Sequence, residues 1–175
     1  MAQGTETAFN IGIEVEFKIE SKNALGFSDS ELSELLKEVY VGEGYAGSEL
    51  GETLFEAAAV RSRGKMITAS NIENKHLAGL VIMVPPTSDA CKRAKEDEVE
   101  VHLLAVKKDY RNNNLGDKLV SELIHQAKSE GYKRIILWTQ YSMATAQKLY
   151  VKLGFVRDSS FNVGGRDFYL YSLNL

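Results

Sequence analysis

The sequence predicts an α/β fold in one domain, built on a sheet of mixed strand direction. Three observations carry this. Apolar residues switch repeatedly between a period of two, as in strands, and steps of three and four, as in helices. Glu98 to Ala127 reads as a strand that passes through a short polar turn into a helix, which is how a crossover begins. Elsewhere strand-like runs are separated only by turn residues, as at Asn71 to Lys75 and at Gly164 and Gly165, which makes hairpins.

The elements follow in order. Residues 1–10 read as a loose arm. Ile11 to Glu20 alternates, with Ile11, Ile13, Val15, Phe17 and Ile19 on one side and Glu14, Glu16, Lys18 and Glu20 on the other. That is a strand with one wet face. Ser28 and Glu31 have capping-box spacing ahead of the stripe Leu32, Leu35, Leu36 and Val39, a helix. Gly42, Gly44, Gly47 and Gly51 then punctuate a loop containing Tyr45. Thr53 to Arg63 reads as a second helix, with Leu54, Phe55, Ala58 and Ala59 for packing and Gly64 at its end. Two strands follow, Met66 to Ser70 and Leu77 to Val84, closed by Pro85 and Pro86. Thr87 to Asp97 is polar and charged, a loop expected to be mobile. After the central strand, turn and helix, Gly131 is a C-terminal cap, and Arg134 to Thr139 is a short buried strand. Met143 to Leu153 is a helix capped by Gly154, and two strands, Phe155 to Phe161 and Asp167 to Leu173, finish the chain.

Composition narrows the class. The 175 residues are 44% hydrophobic and 26% charged, ordinary for a globular domain with a sizeable core. A net charge of −3 gives no bulk attraction to nucleic acid. No apolar run reaches membrane-spanning length, and the first residues lack the basic-then-apolar pattern of a secretory signal. The single cysteine, Cys91, forms neither an internal disulfide nor a cysteine zinc site. A cytoplasmic protein with no membrane partner and no metal is the expectation. His76 and His125 read as surface residues without metal-ligand spacing.

The turn between Val106 and Leu115 is where chemistry is expected. It holds Arg111, three asparagines and then Gly116. A helix start offers unpaired backbone N–H groups and a partial positive charge, so this turn suits a phosphate or another anion. No Walker lysine appears, which disfavours a nucleotide-binding regulatory domain.

The run EVHLLAVKKDYRNNNLGDKL, followed by AQKLYVKLGF, resembles the GNAT superfamily of acyl-CoA-dependent N-acetyltransferases. The family's first motif, a strand ending in L-x-V and then a Gln/Arg-x-x-Gly-x-Gly/Ala turn, matches Leu104, Val106, Arg111, Leu115 and Gly116. Its second, A-x-x-L-Y-x-x-x-G-F, matches Ala146, Leu149, Tyr150, Gly154 and Phe155. The match covers Glu98 to Phe161; the first 97 residues agree in pattern only. Two positions depart from the family: Asn114 replaces the first turn glycine, and Met143 stands where many members have a cofactor-holding Asn. Asn tolerates positive φ better than other non-glycine residues, so the turn survives.

The resemblance implies a mixed, mostly antiparallel sheet of about six to seven strands flanked by about four helices. It implies acetyl-CoA as acyl donor. The pyrophosphate would lie on Arg111, Asn112, Asn113, Asn114, Leu115, Gly116, Asp117 and Lys118, with backbone meeting phosphate closely at Gly116. The pantetheine arm would run along Leu104, Ala105 and Val106. Tyr150 resembles the general acid that protonates the departing thiolate. The base is left open between Glu100, His102 and a chain of waters; both side chains read as lying on one strand face with Leu104. A backbone N–H near Leu104 would serve the oxyanion. The acceptor is a primary amine. Asp29, Glu31, Glu34, Glu38, Glu43, Glu49, Glu52 and Glu56 against the single base Lys37 would favour a cationic one, although a solvated helix face explains them equally. An acyl-CoA-binding domain without turnover is the alternative, and a homodimer is left open.

Overall fold

The computed structural model describes residues 15–21 and 26–175. The arm expected at residues 1–10 lies outside them, as do Ile11, Ile13 and Glu14 of the first expected strand. Seven strands form one sheet: β1 (Phe17–Glu20), β2 (Lys65–Asn71), β3 (Leu77–Val84), β4 (Glu98–Val106), β5 (Arg134–Gln140), β6 (Val156–Val163) and β7 (Arg166–Asn174). Their order is β1-β2-β3-β4-β5-β7-β6. Every neighbouring pair is antiparallel except β4 and β5. The mixed, mostly antiparallel sheet is therefore as expected.

The helices among the described residues are α1 (Asp29–Leu36), α2 (Ser48–Leu54), α3 (Ala57–Arg61), α4 (Leu115–Ser129) and α5 (Ala144–Lys152), five where about four were expected. Ser28 and Glu31 form the expected capping box at α1, whose inner face buries Leu32, Leu35 and Leu36. α1 then widens into one π-helical stretch, Lys37–Val41, closed by the Gly42 N–H on the Lys37 carbonyl at 2.9 Å.

The single helix expected over Thr53 to Arg63 is corrected to two short ones. Phe55 ends α2 at φ −111°, and Glu56 is extended before α3 begins. The break turns Phe55, Ala57 and Val60 into the core, while Leu54 and Ala58 stay exposed. An unbroken helix would have carried Leu54 and Ala58 inward with Phe55. Gly51, read as loop punctuation, sits inside α2, where a Cβ would fall 2.5 Å from Val41 Cγ2. It is a packing glycine.

Two cores lie on opposite faces of the sheet. On one, α4 and α5 bury Leu115, Leu119, Leu123 and Tyr150 against Val99, Val101, Ile135, Leu137 and Tyr171. On the other, α1 to α3 bury Leu32, Leu36, Phe55 and Val60 against Met66, Leu80, Ile82 and Ala105. The second cover reaches only β2 to β4. Gly131 and Gly154, at φ +84° and +91°, end α4 and α5 as expected of left-handed caps.

Two features of β4 position the site. Its ladder with β5 is confined to Glu98↔Arg134, Val99↔Ile135 and Glu100↔Ile136, although both strands continue. A gap therefore opens beyond Glu100. β4 also carries a bulge: its register with β3 slips between Leu80 and Ile82, and Leu103 has φ +52°. The extra residue reverses the alternation. Leu104 and Val106 pack with Val99 and Val101 on the α4 face, whereas Leu103 and Ala105 join the α1 face. The expectation that Glu100, His102 and Leu104 share a face is thus corrected: the bulge moves Leu104 to the other side.

Candidate active site

The turn ahead of α4 is built for an anion. After a 3₁₀ turn at Lys108–Tyr110, Asn112 and Asn114 adopt φ +64° and +54°. Asn113 Nδ2 ties the turn down by donating to the Tyr110 and Arg111 carbonyls, both at 3.1 Å. Asn114 is the N-cap of α4 but its side chain caps nothing. The N–H groups from Asn112 to Asp117 make no hydrogen bond within the described residues, and the next, that of Lys118, returns to the Asn114 carbonyl at 3.1 Å. A run of unpaired N–H groups at a helix start fits a pyrophosphate.

Two expectations for this turn change. The Arg111 side chain donates to the Val106 carbonyl at 3.3 Å and pairs with Glu43, so it braces the turn against the π-helical region. At Gly116 the direction of the missing Cβ is taken by Leu149 of α5, whose Cδ2 would lie 3.2 Å away. The glycine lets α5 approach α4 on its side-chain side, while its N–H stays in the run left open to an anion. Asp117 pairs with Lys152, and Lys118 is exposed.

The edge of β4 beyond the ladder faces the gap. The Lys107 N–H donates to Ala78 on β3 at 2.9 Å. Polar groups alternate along a strand, so those of Ala105 also aim at β3, and those of Leu104 and Val106 aim away from it. Ala105 therefore belongs to the sheet and not to the gap. The Leu104 carbonyl accepts from the Tyr40 hydroxyl at 2.9 Å, while the Leu104 and Val106 N–H groups lie past the last β4–β5 pair, Glu100↔Ile136, on the side that faces the gap.

Tyr150 reaches the same region from α5. It packs against Phe155 and Tyr171. Its hydroxyl makes no hydrogen bond to the described residues, yet it is not fully enclosed: Arg63 Nε alone among them is a buried side-chain polar atom lacking a partner. Burial raises the pKa of Tyr150. The Tyr40 pKa is raised by burial and further by Tyr150, so the two hydroxyls lie near each other.

Glu100 and His102 meet on the opposite face. Glu100 is 0% exposed. Its carboxylate accepts the backbone N–H of Lys92 at 3.0 Å, of Ala94 at 2.8 Å, and of Arg93. His102 Nε2 lies 2.8 Å from its other oxygen. Burial alone would raise the Glu100 pKa, but His102 and the three N–H groups outweigh it and hold the carboxyl below its usual range. An ionised carboxylate only accepts, so Nε2 carries a proton, and in the neutral ring the lone pair is on Nδ1. That atom lies 3.5 Å from Arg63 Nη1, and the ring meets Trp138 edge-on at 5.2 Å. A low pKa and four committed partners make Glu100 an orienting group more than a direct base. They also tie down the loop expected to be mobile between Thr87 and Asp97.

The acids of the first half are mostly engaged. Asp29 pairs with Arg61, Glu31 with Ser28, Glu34 with Ser30, Glu38 with the Lys108 N–H, Glu43 with Arg111 and Glu52 with Lys37. They hold helices and turns together, which weakens the case for a free acidic wall. Met143 occupies the N-cap of α5, where its sulfur accepts from the Thr139 hydroxyl at 3.3 Å. Tyr40 and Arg63 are the residues that the sequence reading missed. Tyr40 follows an apolar stripe and Arg63 ends a helix, and neither place marks a residue that crosses to β4. Among the described residues no three or more His, Cys, Asp or Glu gather as for a metal, and no helix is long and apolar enough to cross a membrane.

A family model described as the acetyltransferase (GNAT) family matches residues 31–155. No curated protein matches the sequence. The fold is similar to that of an acetyltransferase of the GNAT family from Staphylococcus aureus, with 19% identity over 91% of this chain and 99% of that one and a TM-score of 0.71. An acetyltransferase from Bacillus subtilis, solved in complex with CoA, is 23% identical over 91% and 99% of the two chains, with a TM-score of 0.63. The acetyltransferase of the GNAT family from Streptococcus pneumoniae gives 23% identity over 91% and 100%, with a TM-score of 0.64.

Proposed function

The chain belongs to the GNAT family of acetyltransferases, and from that premise we propose that it transfers an acetyl group from acetyl-CoA to a primary amine of a small molecule or peptide by direct attack. The observation that carries this reading is Tyr150. Its hydroxyl makes no hydrogen bond to the described residues and is kept protonated by burial, beside the open edge of β4. Acetyl-CoA supplies an activated acyl group. The N–H groups from Asn112 to Asp117 receive its pyrophosphate, and the Leu104 N–H receives the oxyanion that forms as the amine nitrogen bonds to the acyl carbon. As the C–S bond breaks, Tyr150 gives its proton to the sulfur. A lysine-like amine has a pKa near ~10.4 and must be deprotonated to attack. Its proton leaves through His102 Nδ1 or water, with Glu100 holding the ring.

The occupied Leu104 and Val106 carbonyls favour a second reading, an acyl-CoA-binding domain without turnover, because pantetheine cannot pair with them while Tyr40 and Arg111 do. Thiol release from acetyl-CoA, followed across a panel of amines, separates the two. In the Tyr150→Phe variant, kcat and kcat/KM should both fall by about tenfold to a thousandfold at unchanged acetyl-CoA affinity. A folded variant with wild-type kcat, where chemistry limits the rate, would leave Tyr150 as packing only.

A further inference from the structure

We propose that the acceptor amine carries a carboxylate and a large apolar body, as an aromatic or branched α-amino acid does; this rests on the acetyltransferase reading above. Charge is the first ground. Arg63 enters from the end of α3 and places its guanidinium between Leu54 and His102, donating to the Leu54 carbonyl at 3.1 Å and approaching His102 Nδ1 at 3.5 Å. No ion pair joins Arg63 to an acid among the described residues, whereas Arg61, Arg111 and Arg134 all have one. Its Nε is buried without a partner among the described residues, and burial lowers its pKa. A half-buried cation without a counter-charge is costly, and an incoming carboxylate relieves that cost. Glu100 cannot do so, since its oxygens are taken by the Lys92 to Ala94 backbone and His102.

The sheet face beside Arg63 is the second ground. Register pairs Trp138 with Leu170 and Phe161 with Phe168, and directly opposed residues share a face. His102 touches Trp138 on that face. Phe161 and Phe168 stack at 5.5 Å, and the Arg93 guanidinium sits over Phe161 at 3.9 Å, also without an acid among the described residues. The α1 to α3 core stops at β4, so these rings belong to neither buried cluster and remain only half covered. An apolar strip with a cation at each end, and no free carboxylate between among the described residues, suits an anionic amine with a hydrophobic body. It repels a polyamine or a lysine side chain.

The test measures thiol release from acetyl-CoA with phenylalanine, tryptophan and leucine, each against its decarboxylated amine, and with spermidine. Wild-type protein should prefer each amino acid over its amine by at least about tenfold in kcat/KM, with the difference mainly in KM. Arg63→Gln should bring that ratio towards one, and Arg63→Lys should restore part of it, which a merely structural role for Arg63 would not do. If Arg63→Gln does not fold, the wild-type ratio decides alone. Equal or better turnover of the decarboxylated amines or of spermidine overturns this inference and leaves the acetyltransferase reading standing. Failure to release thiol with any amine, when acetyl-CoA is shown to bind, removes both.

Discussion

Glu100→Gln asks how much of the fold depends on one buried carboxylate. In the wild type, three backbone N–H groups and His102 Nε2–H converge on its two oxygens. A glutamine keeps one oxygen and turns an NH₂ towards the other set. With its oxygen on the Lys92 to Ala94 loop, its amide meets the proton on His102 Nε2. If His102 changes tautomer to accept, its Nδ1–H faces Arg63. Three bonds to a charged acceptor, at about 1.5–3 kcal/mol each, become neutral ones at about 0.5–1.5 kcal/mol. The expected loss is about 3 kcal/mol at pH 7. At 2–4 °C per kcal/mol for a chain of this size, the melting temperature should fall by roughly 6–12 °C. The pH dependence has a definite sign. A carboxyl held below its usual range stabilises the fold above the unfolded pKa, near ~4.3, and that contribution is lost as pH falls through the lower folded value. The gap between wild type and variant should therefore be widest at neutral pH and close in acid. Urea unfolding from pH 7 to pH 3 measures this. Equal stability at pH 7, or a gap that grows in acid, would refute the account of Glu100 as an ionised anchor for the β3–β4 loop.

Two further substitutions test the packing and the gap. Gly116→Asp should cost about 1–3 kcal/mol in the protein without acetyl-CoA, because the new side chain meets Leu149; loss of cofactor affinity with unaltered stability would show instead that this position faces the phosphate. Tyr40→Phe removes the donor to the Leu104 carbonyl and should lower stability by about 1 kcal/mol in urea unfolding. A value near zero would mean that water takes the place of the hydroxyl at no cost.

The sequence by itself determined the local elements from β3 onward. Period and caps locate β3, β4, α4, β5, α5, β6 and β7 to within a few residues, because each has its own apolar pattern and a glycine or turn to end it. The αL conformation at Asn114 was legible for the same local reason, since φ preference belongs to the residue. The break in the second helix was not, because it is set by where Phe55 and Val60 find space. Nor was the bulge at Leu103, a mismatch between two strands that neither strand encodes alone, and it decides which side chains share a face with His102. Gly116 looked like a phosphate residue because it stands in the motif, but the direction of its missing Cβ depends on how α5 packs. Arg63 and Tyr40 lie far from β4 in the chain, and only the tertiary fold brings a guanidinium to His102 and a phenol to the Leu104 carbonyl. Such contacts leave no periodic trace in the sequence, since long-range side-chain partners follow from packing and not from spacing.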